Sequence, residues 1–281
     1  MKGDFLMIKY DLHTHSTSSD GRYSPTDVVR MAKDNGVEYL ALTDHDTLSG
    51  IEEAALEAKK LNINFIPGIE LSTEFNNESI HVLGFFKNDD YKNPELQIFL
   101  ESLKEKRIKR AYEIVERLKK YNHIEIDINK VLEGGKDTIA RPHIAKAIIE
   151  AGYPYDHEYI FKNIIGDNCP AYVPSAKITT EEGIQLLKKF NSLVFLAHPV
   201  LVKHTPVEEL LELGFDGLEA IYFRNKSKNT KHFLKLAENL NLLVSCGSDC
   251  HGIPNDSSHG TVGDIPLPEN INVNKYLKWL I

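Results

Sequence analysis

The chain has 281 residues, 42% of them hydrophobic, enough to bury a sizeable core as one large α/β barrel or as two ordinary domains. A formal net charge of −8 argues against a general nucleic-acid coat, yet allows a local basic patch at a site for phosphorylated ligands. Met1 to Tyr10 lacks the apolar core of a signal peptide, and the longest apolar stretch, Leu193 to Val202, is broken by His198 and Pro199. The 3 cysteines, Cys169, Cys246 and Cys250, make no disulfide framework, so a reduced, cytoplasmic protein without a membrane span is expected.

Ile8 to Leu12 reads as a strand that ends in His13 and His15. Alternate residues of an extended segment share a face, so these two imidazoles can close on one metal ion. Asp20 lies in the loop that follows and can join them. Ser24 and Pro25 then predict a helix start, with Gly36 as its stop. Strand Tyr39 to Thr43 runs into Asp44, His45 and Asp46; alternation puts His45 on one face as the candidate ligand and the aspartates on the other as its partners or as caps.

Helix Ile51 to Leu61 precedes two strands, Asn64 to Leu71 and Ile80 to Phe86, around a polar turn at Asn76 and Asn77. Glu70 stands between Ile69 and Leu71 at a strand end, where a buried carboxylate is costly unless it is paired or binds a cation. Its two oxygens can bridge two ions. His81 is read as the beginning of the next strand.

From Pro94 to about Tyr121 the composition turns to Glu, Lys, Arg and Leu with helical spacing, and short helices and turns are predicted to about Pro174. An inserted, mainly helical subdomain over residues 93–174 is therefore expected, interrupting a barrel made of 7–92 and 175–281. The run Lys104, Glu105, Lys106, Arg107 is expected to be a solvated helix face carrying i to i+4 pairs.

The strand and helix alternation then resumes, with strand Leu193 to Ala197 ending at His198, helix Pro206 to Leu213, strand Gly217 to Tyr222 and helix Lys226 to Leu240. Strand Leu242 to Cys246 is the last of seven core strands. It enters Gly247, Ser248, Asp249, Cys250, His251 and Gly252, where Asp249 and His251 share a face and the glycines admit a close ligand. In a barrel of parallel strands the carboxyl ends converge on one rim, so these distant residues are expected to meet.

Together, His13-Thr14-His15-Ser16 with Asp20, Thr43-Asp44-His45-Asp46, Gly68-Ile69-Glu70, Ala197-His198-Pro199 and Gly247-Ser248-Asp249 with His251 resemble the PHP family, named for polymerase and histidinol phosphatase. The resemblance implies a distorted (β/α)7 TIM-like barrel holding up to three divalent ions at its carboxyl rim. On this chain one ion would fall to His13, His15, Glu70 and Asp249, a second to Glu70, His81 and His198, and a third to Asp20, His45 and His251. Mixed imidazole and carboxylate ligands make manganese the first choice, with iron or zinc as alternatives.

The segment Ile139-Ala140-Arg141-Pro142-His143 resembles the PHP phosphoesterases of the nucleoside 3′,5′-bisphosphate phosphatase and RNase AM group. That points to a small nucleotide or short oligonucleotide as substrate, with no duplex nucleic acid and no membrane as partner. Arg141 and His143 are then phosphate-binding candidates, joined by Lys177 and Arg224, while His198 or His143 would protonate the leaving oxygen. Tyr172-Val173-Pro174 matches the group, but of the basic and aromatic residues often found after it only Lys177 remains. A histidinol phosphate phosphatase, an amidohydrolase and a non-catalytic metal-stabilised module are the rival readings.

Overall fold

The computed structural model describes residues 8–135, 138–174, 177–254, 258–265 and 274–280. In chain order the first half contains β1 (Lys9–Asp11), α1 (Pro25–Asp34), β2 (Val37–Leu42), α2 (Ile51–Leu61), β3 (Asn64–Phe75) and β4 (Glu78–Phe86). Ser24 caps α1 by accepting from the Asp27 N–H, and Pro25 takes the first helical position. Asn76 and Asn77 turn the β3–β4 hairpin with φ of 50° and 61°, values that asparagine tolerates better than most residues.

The insert contributes α3 (Pro94–Arg117), α4 (Ile128–Gly135), α5 (Arg141–Glu150) and α6 (His157–Asn163). The second half adds β5 (Ile178–Thr179), α7 (Thr180–Lys189), β6 (Ser192–Leu196), α8 (Val207–Leu211), β7 (Gly217–Tyr222), α9 (Ser227–Asn239), β8 (Leu243–Gly247) and α10 (Asn274–Leu280).

Seven strands form a nearly closed barrel in the order β1-β2-β3-β4-β6-β7-β8, and the short β5 pairs with β3. The seam between β1 and β8 is stitched by the Leu12 N–H to the Cys246 carbonyl at 3.0 Å and the Asp249 N–H to the His13 carbonyl at 2.8 Å. Alternation sorts the core. Ala41, Leu83, Phe85, Phe195 and Ile221 pack in one cluster inside the barrel, with Tyr276 and Leu277 of α10. Leu40, Leu42, Val82, Phe86, Val194 and Leu218 pack in a second cluster against the helices.

One expectation is corrected. The barrel is not wholly parallel, because β4 runs antiparallel to both β3 and β6. The long β3–β4 hairpin is the cause; β4 starts at Glu78, so His81 is an interior residue of the strand, paired with Ser72. Antiparallel direction puts its early residues at the rim where parallel strands end.

A separate buried cluster, including Ile114, Leu118, Val131, Ile144, Ile148, Ile160 and Ile165, joins the end of α3 to α4, α5 and α6. Helix α3 serves both cores. Leu96, Leu100 and Leu103 pack on the barrel, and Ala111 and Ile114 on the insert. The expected segment boundaries at 7 and 175 lie outside the described residues. Among the described residues no helix is long and apolar enough to cross a membrane, and all three cysteines are free thiols.

Candidate metal centre and adjoining cationic cavity

Glu70 is fully buried at the barrel rim and meets five imidazoles. Its Oε2 lies 3.3 Å from His13 Nε2, 3.3 Å from His15 Nε2 and 3.0 Å from His45 Nδ1. Its Oε1 lies 2.8 Å from His81 Nδ1 and 2.9 Å from His198 Nε2. Asp249 Oδ1 adds contacts of 3.4 Å to His13 Nε2 and 3.0 Å to His15 Nε2, while Asp20 Oδ1 lies 3.2 Å from His251 Nε2. The rim thus gathers every histidine and carboxylate expected there.

The donor set fits divalent metal. Among the described residues His13 Nε2, both ring nitrogens of His15, His45 Nδ1, Glu70 Oε2 and Asp249 Oδ1 find no hydrogen-bond partner although buried, a costly state that a shared cation would relieve. The ligand atoms of His13, His15, Glu70 and Asp249 fall within 4.8 Å of one another, as do those of His15, Asp20, His45 and His251, and those of His45, Glu70 and His81. His198 reaches the Glu70 oxygen that His81 also contacts.

Electrostatics agree with the geometry. Burial opposes charge on His13, but Glu219, Glu70 and Asp249 raise its pKa well above the histidine range. Against the same burial, Glu70 and Asp20 push His45 up to about 10, and Asp20 pushes His251 up to about 9. Burial would raise Glu70, Asp20 and Asp249, yet the surrounding histidines hold all three well below the carboxylate range. In this charge pattern protons stand in for a cation, and metal binding displaces them.

Neighbouring groups brace the ligands. Asp44 accepts from the Ser16 N–H and Ser16 Oγ, both at 2.7 Å, and from Ser19 Oγ, which fixes the loop bearing Asp20. Tyr222 donates its hydroxyl to Asp249 Oδ2 at 3.0 Å. Asp46, His198 and Asp249 all adopt left-handed backbone, with φ of 53°, 28° and 55°. Such strain in residues with a side chain is retained where the surroundings enforce it, as at a functional site.

A cavity of about 340 Å³ opens from this cluster. Its lining combines Asp20, His45 and His81 of the cluster with Arg107, Arg110, Arg141 and Lys177, the rings of Phe161 and Tyr172, and one further carboxylate, Glu74. Arg141 donates to Asp167 at 2.6 Å and lies over the Phe161 and Tyr172 rings. Lys177 donates to Ser79 Oγ at 2.5 Å. His143 does not line the cavity; its Nδ1 accepts the Ala140 N–H at 3.0 Å at the start of α5. Arg224 is exposed in the turn after β7, also away from the cavity lining.

The solvated reading of residues 104–107 fails at Arg107. Its guanidinium is ion-paired with Asp46 and donates to Ser72 Oγ at 3.2 Å. Arg110, which the sequence reading passed over, donates Nε–H to the Val173 carbonyl at 2.8 Å. Both cations lie on α3 and line the cavity. Ser175 and Ala176, between Pro174 and Lys177, lie outside the described residues. Also unforeseen are His259, whose ring lies 4.2 Å from that of His251, and the buried Glu219 beside His13.

The PHP domain model matches residues 11–239. A 5′-3′ exoribonuclease of Haemophilus influenzae is 33% identical over 250 residues, covering 86% of this chain and 90% of that protein. A 3′,5′-nucleoside bisphosphate phosphatase of Chromobacterium violaceum is 28% identical over 257 residues, covering 87% and 88%. Among solved structures, an amidohydrolase from Chromobacterium violaceum with bound sulfate and no metal superposes with a TM-score of 0.83 at 27% identity, covering 96% of each chain. A putative metal-dependent phosphoesterase of Bifidobacterium adolescentis gives 0.79 at 27% identity, covering 98% and 96%. With these motifs on one rim and the family match spanning most of its length, this chain belongs to the PHP domain family.

Proposed function

We propose that this chain is a metal-dependent phosphoesterase that hydrolyses small nucleotides such as nucleoside 3′,5′-bisphosphates and trims short oligonucleotides from the 5′ end. The observation that carries this reading is that members of the metal-ligand cluster and four cationic side chains line one cavity. Similar proteins bear both activities in their names.

His13, His15, Glu70 and Asp249 would hold one ion, Glu70, His81 and His198 a second, and Asp20, His45 and His251 a third, with manganese the first choice over iron or zinc. Bound there, such ions lower the pKa of a coordinated water and neutralise phosphoryl oxygens. The protein's own side chains then decide what binds. Arg110 is half-buried, its Nε–H donates to the Val173 carbonyl, and among the described residues no carboxylate pairs with it. Partial burial, Arg141 and Arg107 push its pKa down to about 10, so a cation without an ion-pair anion lines the cavity.

A phosphate supplies that anion. Arg110 and Arg141 would clamp the non-reacting phosphate, Lys177 would add a point charge, and Phe161 and Tyr172 offer flat apolar faces to a base. Burial lowers the His143 pKa, and because Nδ1 accepts from Ala140, the neutral ring carries its proton on Nε2. The free thiols are consistent with a cytoplasmic setting.

The test, with manganese present, is release of inorganic phosphate from adenosine 3′,5′-bisphosphate, adenosine monophosphates and histidinol phosphate, and release of nucleoside monophosphate from short 5′-phosphorylated RNA. The bisphosphate and the RNA should turn over fastest. Preference for histidinol phosphate, or no turnover of any of them, would overturn the reading.

A further inference from the structure

Glu219 lies in the middle of β7, where the pairing with β8 shifts register between Glu219 and Ile221, and it is fully buried. Its Oε1 is 3.1 Å from His13 Nδ1, and its Oε2 accepts the backbone N–H of His198 at 2.8 Å. We propose that Glu219 is a positioning residue that selects which nitrogen of His13 faces the metal centre and pins the backbone from which His198 projects. The proposal rests on the reading of the rim as a metal centre.

A carboxylate only accepts hydrogen bonds, so His13 must present Nδ1–H to it. That leaves the Nε2 lone pair for ligation. Nε2 is the atom that lies 3.3 Å from Glu70 Oε2 and 3.4 Å from Asp249 Oδ1 and that has no hydrogen-bond partner. The second Glu219 oxygen holds His198 at φ 28° and ψ 61°, a conformation that a β-carbon disfavours. From there His198 Nε2 reaches the other oxygen of Glu70, at 2.9 Å. One carboxylate therefore aims two imidazoles at the two oxygens of the central ligand.

Gly247 leaves room for this arrangement. A β-carbon there would sit 2.2 Å from His13 Cβ and 2.4 Å from Glu219 Oε1.

An isosteric glutamine cannot do both jobs. With its oxygen toward the His198 N–H, its amide N–H₂ faces His13 Nδ1 and demands the tautomer whose proton blocks Nε2. With its oxygen toward His13, two donors collide at His198. Glu219→Gln, titrated with Mn²⁺ by calorimetry, should bind at least one ion about 10–100-fold more weakly than wild type. Its metal-free melt should stay cooperative.

An independent readout needs no variant. In zinc-loaded wild-type protein labelled with ¹⁵N-histidine, the His13 signal should show the proton on Nδ1. Wild-type affinity and stoichiometry in Glu219→Gln, or a proton on His13 Nε2 in the zinc-loaded protein, overturns the assignment. If wild-type protein binds neither metal, the reading of the rim as a metal centre fails instead, so the two failures are distinguishable.

Discussion

At the barrel rim Glu70 is surrounded by five imidazoles, whereas in the lining of the same cavity Arg110 stands beside Arg107 and Arg141 and, among the described residues, forms no ion pair with a carboxylate. The rim has buried lone pairs in excess, while in the cavity lining Arg107 pairs with Asp46, Arg141 pairs with Asp167 and half-buried Arg110 has, among the described residues, no carboxylate of its own. Each is costly alone. A phosphate on a bound metal, as proposed above, would relieve both, because the cation would take the lone pairs and the phosphoryl oxygens the guanidinium. The pairing of two complementary deficits across one cavity is what distinguishes this site from two unrelated ion-pair clusters.

The sharpest way to break the comparison is to remove the shared rim ligand. Glu70→Ala should lose bound metal, and its rate of phosphate release should fall by on the order of 10³-fold, the several kcal/mol that metal activation contributes. Plasma mass spectrometry of the purified variant checks the first part and a phosphate assay the second; unchanged metal content would contradict the ligand assignment.

The insert side should respond differently. Arg110→Gln should raise KM for a nucleoside bisphosphate about 10–100-fold, the loss of a charge-assisted hydrogen bond, while metal content holds. Tm should change little, since a half-buried guanidinium gives up one hydrogen bond to the Val173 carbonyl. An unaltered KM would show that the second phosphate sits elsewhere.

A third effect comes from pH. His45 and His251 have folded-state pKa values raised to about 10 and about 9, above the usual 6.5. Their protonation stabilises the metal-free fold fully below pH 6.5, and this contribution is lost as pH climbs through 9 and 10. Melting of chelator-treated protein should therefore fall in temperature across that range. Metal-loaded protein, whose site histidines are already deprotonated, should lack this dependence. Parallel pH profiles would sink the idea that protons and metal compete for one site.

The smallest effect lies away from both regions. Against a modest burial cost, the backbone N–H groups of Lys203, Thr205 and His204 hold the Glu78 carboxyl at a pKa of about 2, tying the β3–β4 hairpin to the loop after β6. Glu78→Gln should cost roughly 1 kcal/mol after allowance for solvent screening, a drop of about 2–4 °C in Tm, with activity unaltered. In wild type that contribution is lost as pH falls from 4.5 toward 2. A larger loss, or a change in rate, would make the hairpin part of the site.

The rim was legible in the sequence because its signals are local. His13 and His15 two apart, and Glu70 flanked by Ile69 and Leu71, declare buried polar groups at strand ends through simple alternation. The same signal marks Glu219, between Leu218 and Ala220, but an acid inside a strand lacks the strand-end context that singled out Glu70. The antiparallel turn of β4 was hidden because Asn76 and Asn77 read only as a polar turn and not as a tight hairpin.

The insert was harder because α3 is dense in charge. Only the stripe Leu96, Leu100, Leu103, Arg107, Arg110, Ile114, spaced by three and four, puts two arginines on the buried face. That stripe was present in the sequence, and charge counting along the helix obscured it. The partners of these arginines, Asp46 and the Val173 carbonyl, are remote in sequence and follow only from the fold.

The most direct measurement is anomalous diffraction at the manganese edge from crystals grown with Mn²⁺. The account predicts strong peaks at the rim, up to three, each within bonding distance of Glu70, Asp20 or Asp249 and of the neighbouring imidazoles. A rim without anomalous signal, or manganese bound only at sites remote from Glu70, would contradict it.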